Sequence, residues 1–345
     1  MKIEKGKVRA PEIGRVWLNS TPLSIRQLRG RAVLVDFWDY TCINCIRTLP
    51  YVQAWHERYK DKGLTVIGVH TPEFTFAQYE SNVERGVKDF GLTYPVVIDS
   101  NYEIWKLFAC RCWPTKFLLD KESYLRFGHF GEGEYRECEQ TIQELLREID
   151  PAVSLPHLME PLREEDRPGA ACYRASPELY LGHRRGRIGN PGGFREDSIA
   201  DYSFKGEPEE GYFYAGGRWA STAEYLEAVG EDEHRIVLKY SARGVNLVMA
   251  SPRAASCEVL IRQDGRGLRR DQGTPDTQFR RAGESEESYV SVSKARMYAL
   301  VDNHQFGTHL LELICPAGLG AFAFTFTSCV DPSISAVPAG AASTR

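Results

Sequence analysis

The fold is decided by Val35-Asp36-Phe37-Trp38-Asp39-Tyr40-Thr41-Cys42-Ile43-Asn44-Cys45-Ile46-Arg47-Thr48-Leu49-Pro50. With the residues just before it, Ala32 to Trp38 form a continuous run of β-branched and aromatic side chains interrupted by one acid, which suits a strand covered on both faces. A short loop follows. Cys42 then falls where a helix should begin, because Ile46, Leu49, Val52, Trp55 and Tyr59 recur at helical spacing through about residue 62. Unsatisfied N–H groups and the macrodipole at a helix N-terminus favour an anion, so the Cys42 thiol is expected below its ordinary pKa. Two intervening residues set Cys42 and Cys45 about one turn apart, close enough to cycle between dithiol and disulfide. Asp36 is an acid inside an apolar strand. Desolvation should raise its pKa and suit it to accept a proton from Cys45 through a water, the alternative being a carboxylate that caps something locally. Pro50 lacks the donor for an interior bond and should kink the helix.

Outward from this stretch, 345 residues suggest about two domains of ~150 residues. A net charge of −4 argues against a partner held by bulk positive charge, whether nucleic acid or an anionic membrane. Hydrophobic content of 42% supplies material for real cores. No uncharged run approaches the ~20 residues that span a bilayer, and the basic start Met1 to Arg9 has no apolar stretch after it, so export is not expected. Nine cysteines are an odd count. Cys42 and Cys45 stand as a pair. Cys110, Cys112, Cys138, Cys172, Cys257, Cys315 and Cys329 are dispersed, do not read as a disulfide framework, and are assigned no chemistry. The expected location is a reducing cytoplasm, with an extracytoplasmic site as the alternative if the N-terminus is processed or truncated.

Residues 1–150 alternate short apolar runs with amphipathic ones, the pattern of an α/β layer fold. Strands are expected at 32–38, 64–69 and 96–98, helices at 74–90, 102–108 and 140–149, and a hairpin at 116–120 and 124–127. Residues 151–176 hold four prolines and a charged cluster and read as a linker. Residues 177–332 carry many short strands and almost no helix, which suggests an all-β sandwich, and 333–345 read as a flexible tail.

Trp113-Pro114-Thr115 precedes the hairpin. From sequence alone a trans bond is the default there. Taken together, the strand with Asp36 and Trp38, the Cys42-x-x-Cys45 pair, Pro50 and Pro114-Thr115 resemble the thioredoxin-like superfamily. The extra material from Thr71 to Asp99 is similar to its TlpA/ResA and redoxin branch. More closely, Tyr40 to Pro50, Gly68-Val69-His70-Thr71-Pro72-Glu73-Phe74 and Phe130-Gly131-Glu132-Gly133-Glu134-Tyr135 resemble the soluble C-terminal part of DipZ-type proteins. A weaker likeness continues from Ser176 into a jelly-roll, carbohydrate-binding-module-like β-sandwich. The resemblance implies a central mixed sheet flanked by helices, a cis bond before Pro114, and a thiol-disulfide oxidoreductase acting on disulfide-containing proteins. It leaves the electron donor unidentified, because the membrane domain that delivers electrons in DipZ-type proteins has no counterpart in these residues. Thr41 stands where thioredoxins commonly have tryptophan, which puts recognition by a thioredoxin reductase in question.

In the expected cycle Cys42 attacks, Cys45 resolves with help from Asp36, Trp38 packs under the loop, and Trp113, Pro114 and Thr115 face the substrate; no separate cofactor or metal is required. Glu73 and Glu132 could tune the dithiol near Cys45 or serve as structural hydrogen-bonding groups. Cys110-Arg111-Cys112 could form a relay pair or, with Cys42 and Cys45, a four-thiolate metal site, but reads as incidental. A thiol peroxidase would need a Pro-x-x-x-Thr-x-x-Cys frame, and positions 35 and 39 hold Val35 and Asp39. His70, His129 and His183 read as buried, hydrogen-bonded histidines rather than ligands. Tyr214, Trp219, Tyr225 and Tyr240 could offer a sugar-stacking platform or fill a core. The second functional class is therefore a binding or scaffold protein whose β half recognises a glycan or protein partner.

Overall fold

The computed structural model describes all residues except 15, 232, 252–255, 284 and 331–345. The tail expected at 333–345 lies outside the described residues. The chain divides into two units, Met1–Leu162 and Arg163–Arg345.

The first unit is built on a mixed six-stranded sheet. Its strands are β1 (Trp17–Leu18), β2 (Ala32–Trp38), β3 (Leu64–His70), β4 (Val96–Ile98), β5 (Thr115–Leu119) and β6 (Leu125–Phe130), in the order β1-β4-β3-β2-β5-β6. β2 runs parallel to β3 and antiparallel to β5, and all seven of its residues are buried. Alternation along β2 sorts its side chains. Ala32, Leu34 and Trp38 join one cluster with helices α1 (Ile43–Tyr59), α2 (Glu80–Asp89) and α4 (Tyr135–Ile149), while Val33, Val35 and Phe37 join another with α3 (Glu103–Leu107). A strand roofed on both sides has no polar face to show, which is why its apolar run is continuous.

Three local expectations shift. The helix expected over 74–90 is a 3-10 turn, Thr75–Gln78, followed by α2, because Tyr79 between them takes an extended backbone, φ −74° and ψ 121°. The last helix begins at Tyr135 rather than near 140, where Cys138 and Glu139 already face inward. The supposed linker is in its first half a strap on this unit. Val153, Leu155 and Met159 pack on the α1/α4 core. Met159 N donates to Glu139 Oε2 at 2.8 Å, and Leu162 N donates to the Tyr51 hydroxyl at 2.8 Å. The Pro156 carbonyl accepts from Gln143 Nε2, also at 2.8 Å. Proline content reads as linker, yet each of these backbone groups finds a fixed partner.

The second unit is mostly β-strand. Its elements are β7 (Ala171–Cys172), β8 (Leu179–Tyr180), β9 (Ile199–Tyr202), β10 (Phe213–Ser221), β11 (Leu226–Ala228), β12 (His234–Ala250), β13 (Cys257–Gln263), β14 (Arg266–Gly267), β15 (Thr277–Ala282), β16 (Ser285–Val292), β17 (Arg296–Cys315), β18 (Gly320–Thr327) and β19 (Cys329–Val330). Eleven of these form one hydrogen-bonded sheet around the antiparallel pair β12–β17. On its other edge β12 holds β10 over Arg235–Leu238 and β18 over Gly244–Ala250. The many short strands expected in this half are not what β12 and β17 form, since they run for 17 and 20 residues without a break. Gly244 sits beside a register shift where a Cβ would stand 3.1 Å from the Val301 carbonyl, and the strands run on through it. Trp219 and Tyr240 are fully buried in the single core. Tyr225 lies against Phe322 and Tyr214 against Phe204. The four aromatics therefore do not make the sugar-stacking platform.

Two of the seven dispersed cysteines are paired, contrary to the expectation that none of them is. Cys172 of β7 is bonded to Cys329 of β19, 157 residues later, and joins the two ends of this unit. A pairing across that separation has no local signal, since four or more candidate cysteines leave many connectivities open. A cross-link around so long a loop restricts the unfolded chain strongly. Replacing both residues by serine should lower unfolding stability by about 2–5 kcal/mol, read as a lower urea midpoint by circular dichroism, and reductant should lower the wild-type midpoint but not the variant's.

Candidate functional site

The site lies where β2 ends. Trp38 is fully buried, and the chain then turns through Asp39, Tyr40 and Thr41 into α1. Cys42 caps that helix: its sulfur accepts a bond from Cys45 N at 3.3 Å, so the two thiols are held at the first turn. Cys42 is half-buried and Cys45 is buried.

Asp39 was not singled out from the sequence and organises the loop. It is fully buried. Its Oδ1 accepts from Thr41 N at 2.6 Å and from the Thr41 hydroxyl, and its Oδ2 accepts from Glu73 N at 2.9 Å. Its carbonyl accepts from Cys42 N at 3.3 Å. One side chain thus fastens the residue before Cys42 to the segment after β3. The signal was present as an acid two residues before a threonine in a loop, the pattern of a carboxylate turning back on its own backbone.

The thiols depart from the sequence reading. Burial pushes the Cys42 thiol up, and Glu73 and Asp39 add to this, against the bond from Cys45 that lowers it. The helix-end effect exists but loses to desolvation and two nearby acids. Cys45 is raised further, first by burial and then by Cys42. Glu73 therefore acts on Cys42 rather than Cys45. Glu132 pairs with Arg47 of α1 at 3.4 Å, and its carbonyl lies 3.1 Å from His129 Nε2.

Beneath the dithiol, Asp36 is fully buried and neither carboxylate oxygen has a hydrogen-bond partner. Its pKa is pushed up to about 6 by burial, against Lys116, which lowers it. Gly68 is its register partner in β3. A Cβ there would stand 2.9 Å from the Tyr94 ring and 3.0 Å from Trp38 Nε1, so no side chain intrudes from that direction.

The Trp113–Pro114 bond is cis. Because Thr115 pairs with Phe37, the Pro114 loop meets β2 one residue before Trp38, at the end that carries the dithiol. The Pro114 carbonyl accepts from Gly131 N at 2.7 Å, Trp113 Nε1 donates to the Thr71 carbonyl at 3.0 Å, and the Thr115 hydroxyl donates to the Cys112 carbonyl at 2.7 Å. Cys110 is buried and Cys112 half-buried, both as free thiols. Among the described residues no three His, Cys, Asp or Glu side chains gather as a metal site. His70 is buried as expected, but neither ring nitrogen is within hydrogen-bonding reach of a partner: Nε2 lies 3.7 Å from Asp39 Oδ2, and burial lowers the pKa to about 3. Its ring stacks on Tyr40, with centroids 5.6 Å apart, because β3 ends under that aromatic. His129 and His183 do have partners, the Glu132 carbonyl and the Asp197 carboxylate.

Comparison with known proteins adds the following. Residues 8–127 match the AhpC/TSA family, and residues 176–327 match the family described as "Thioredoxin like C-terminal domain". Protein DipZ of Mycobacterium tuberculosis is 36% identical over 247 residues, covering 70% of this chain and 35% of that protein. The chain thus spans about a third of the length of this relative. Thiol-disulfide oxidoreductase ResA of Bacillus cereus is 30% identical over 150 residues, covering 44% of this chain and 81% of that protein. The crystal structure of a thiol-disulfide isomerase from Corynebacterium glutamicum aligns with TM-score 0.37 and 24% identity, over 40% of this chain and 96% of that one.

Two outcomes follow from the electrostatics. Glu73→Gln removes a negative charge that raises Cys42, so the midpoint of Cys42 alkylation by iodoacetamide against pH, followed by mass spectrometry of its peptide, should move to lower pH. For Asp36 the folded-state pKa, about 6, stands above the ordinary 3.8. The folded state therefore holds this proton more tightly, and stability is lost as pH rises from 4 to 6, by about 3 kcal/mol at 1.36 kcal/mol per pKa unit. Asp36→Asn removes that dependence: its unfolding free energy relative to wild type should rise between pH 4 and 6 and level off above.

Proposed function

Because the chain belongs to the thioredoxin-like thiol-disulfide oxidoreductases, we propose that it reduces disulfides of protein substrates through the Cys42-Ile43-Asn44-Cys45 pair. The observation that carries this reading is the geometry of the pair. The Cys42 sulfur sits at the helix start, bonded by Cys45 N, and an unpartnered buried carboxylate, Asp36, lies in the strand that leads into it. In the forward cycle the Cys42 thiolate attacks one sulfur of a substrate disulfide, the substrate S–S bond breaks, and the released thiolate takes a proton from water. Cys45 then gives its proton to the Asp36 carboxylate and attacks the Cys42 sulfur. The Cys42–substrate bond breaks, and the second substrate sulfur leaves as a thiolate that takes a proton from water, while Asp36 returns its own to solvent. Two electrons have passed from the protein dithiol to the substrate, and Cys42–Cys45 is left as a disulfide. The two sulfurs carry the electrons themselves, and an external dithiol donor returns the pair by the reverse steps.

Reduction is the favoured direction because burial and the acids around Cys42 destabilise its thiolate. A thiol pushed up is a poor leaving group, so the protein disulfide, once formed, resists attack and the dithiol tends to give electrons away. Trp113 and Pro114 stand at the approach, whereas Thr115, expected to face the substrate, is fully buried with its hydroxyl on the Cys112 carbonyl, and the substrate backbone is read as pairing beside Pro114. Peroxide reduction is not favoured, since Val35 and Asp39 occupy the positions where a peroxidase frame needs proline and threonine.

The β unit enters this proposal as a binding or scaffold module for a protein partner. A glycan reader would need exposed aromatic faces, and Trp219 and Tyr240 are core residues. The Cys172–Cys329 disulfide favours an oxidising compartment over the cytoplasm expected from cysteine count. Among the described residues no helix is long and apolar enough to cross a membrane.

Insulin-disulfide reduction with dithiothreitol as donor tests the reading. Wild type should accelerate precipitation, Cys42→Ser should abolish the acceleration, and Cys45→Ser should accumulate a mixed disulfide at Cys42 visible on a non-reducing gel. Equal rates for wild type and Cys42→Ser would overturn it.

A further inference from the structure

Lys116 is the second residue of β5 and is fully buried. A lysine in that position is rare, because an ammonium taken out of water is costly unless an opposite charge or strong acceptor meets it. In the register of β2 and β5, Lys116 stands directly across from Asp36. The two side chains also share a face. Leu34 and Trp38 of β2, and Leu118 of β5, are two residues from Asp36 and Lys116 respectively, and all belong to the cluster under α1 and α4. Cys45 of α1 belongs to that cluster too. No hydrogen bond ties the two charges together, since both Asp36 oxygens lack partners. The ammonium is instead directed by the Gly131 carbonyl, to which it donates at 3.4 Å, and lies 5.7 Å from the centre of the Tyr135 ring. Gly131 in turn donates from its N–H to the Pro114 carbonyl.

Resting on the dithiol reading above, we propose that Lys116 is a positioning residue for the resolving step, holding Asp36 as the carboxylate that takes the Cys45 proton and linking it to the loop that carries Pro114. An orphan buried acid tends to stay protonated and useless as a base. A cation on the same face keeps it ionised at neutral pH without occupying its oxygens, which leaves them free for the incoming proton. The other titratable groups facing Asp36 are Cys45 from α1, Cys138 from α4 and Tyr94 from the segment before β4. Each is a neutral thiol or phenol at rest, pushed up by burial, and β3 contributes only Gly68. Lys116 is therefore the cation among them. His129 of β6, beyond Lys116, is lowered by burial and by the lysine itself, so it adds no second positive charge near neutrality.

The two steps can be timed separately with 5,5′-dithiobis(2-nitrobenzoate), whose first thiolate is released by Cys42 and whose second is released when Cys45 resolves the mixed disulfide. For the reduced protein, the pH profile of the second release should carry an inflection that moves to higher pH in Lys116→Met and Lys116→Gln. If the inflection moves by one on the pH scale, the release at pH 7 should slow by up to about tenfold. The first release should keep its profile, and Lys116→Arg should restore the second. Superimposable second-release profiles for wild type and both neutral variants would overturn the proposal, as would an equal displacement of both releases, which would mark Lys116 as general scaffolding. Absence of any second release in wild type would instead defeat the dithiol reading itself. Near-UV circular dichroism of each variant confirms the packed core, and Lys116→Gln stands in where Lys116→Met does not fold.

Discussion

Burial of β2 on both faces is the constraint from which the site is built. A strand roofed by α1 and α4 on one side and α3 on the other cannot show a polar side chain to water, yet this one carries Asp36 in its third-last position. The acid must then be neutral, paired or held at an energetic cost, and the structure leaves both its oxygens unpartnered with a buried lysine opposite. The same strand delivers the chain to Cys42, so the reactive sulfur, its partner and the acid are set by one run of backbone. Gly68, where a side chain would collide with Tyr94 and Trp38, keeps the neighbouring strand from crowding that space.

The loop above the acid shows how local geometry is converted into thiol chemistry. Asp39 commits its carboxylate to Thr41 and Glu73, and its carbonyl to Cys42 N. That clasp brings two acids near the first thiol. The helix end favours the thiolate, but a partial charge at a helix terminus is worth ~0.3–1 kcal/mol at an exposed site, less than desolvation and two carboxylates can exert on a thiol already removed from water. The outcome is a pair of thiols both tuned upward.

The β unit follows a different logic. β12 is long enough to serve two neighbours, β10 and β18, along one edge, and the sheet encloses a single core that takes in Trp219 and Tyr240. Arg243, at the register shift, donates to Asp302 and to the Cys329 carbonyl. The shift thus sits against the disulfide that joins the two ends of this unit.

What the sequence determined by itself was everything that depends on neighbours along the chain. The apolar run of β2, the helical spacing after Cys45, the Cys-x-x-Cys pitch and the turn-rich β half are all patterns of period or proximity; β2 and α1 agree with them to within a few residues, whereas β12 and β17 run on where short strands were expected. The acid at 36 was legible for the same reason, since its oddity is relative to the residues on either side. Tertiary structure alone decided the rest. The direction in which the Cys42 pKa moves depends on how many acids and how little water the fold brings to one sulfur, and Glu73 arrives there from the segment after β3. Lys116 looks like an ordinary strand lysine until register sets it across from Asp36. Cys172 and Cys329 look like two unrelated thiols until a whole sheet closes between them, and the prolines after 150 look like a linker until Glu139, Gln143 and Tyr51 take up their backbone groups. In each case the physical cause is the same: charge, solvation and cross-linking act through space, and the chain alone specifies distance only along itself.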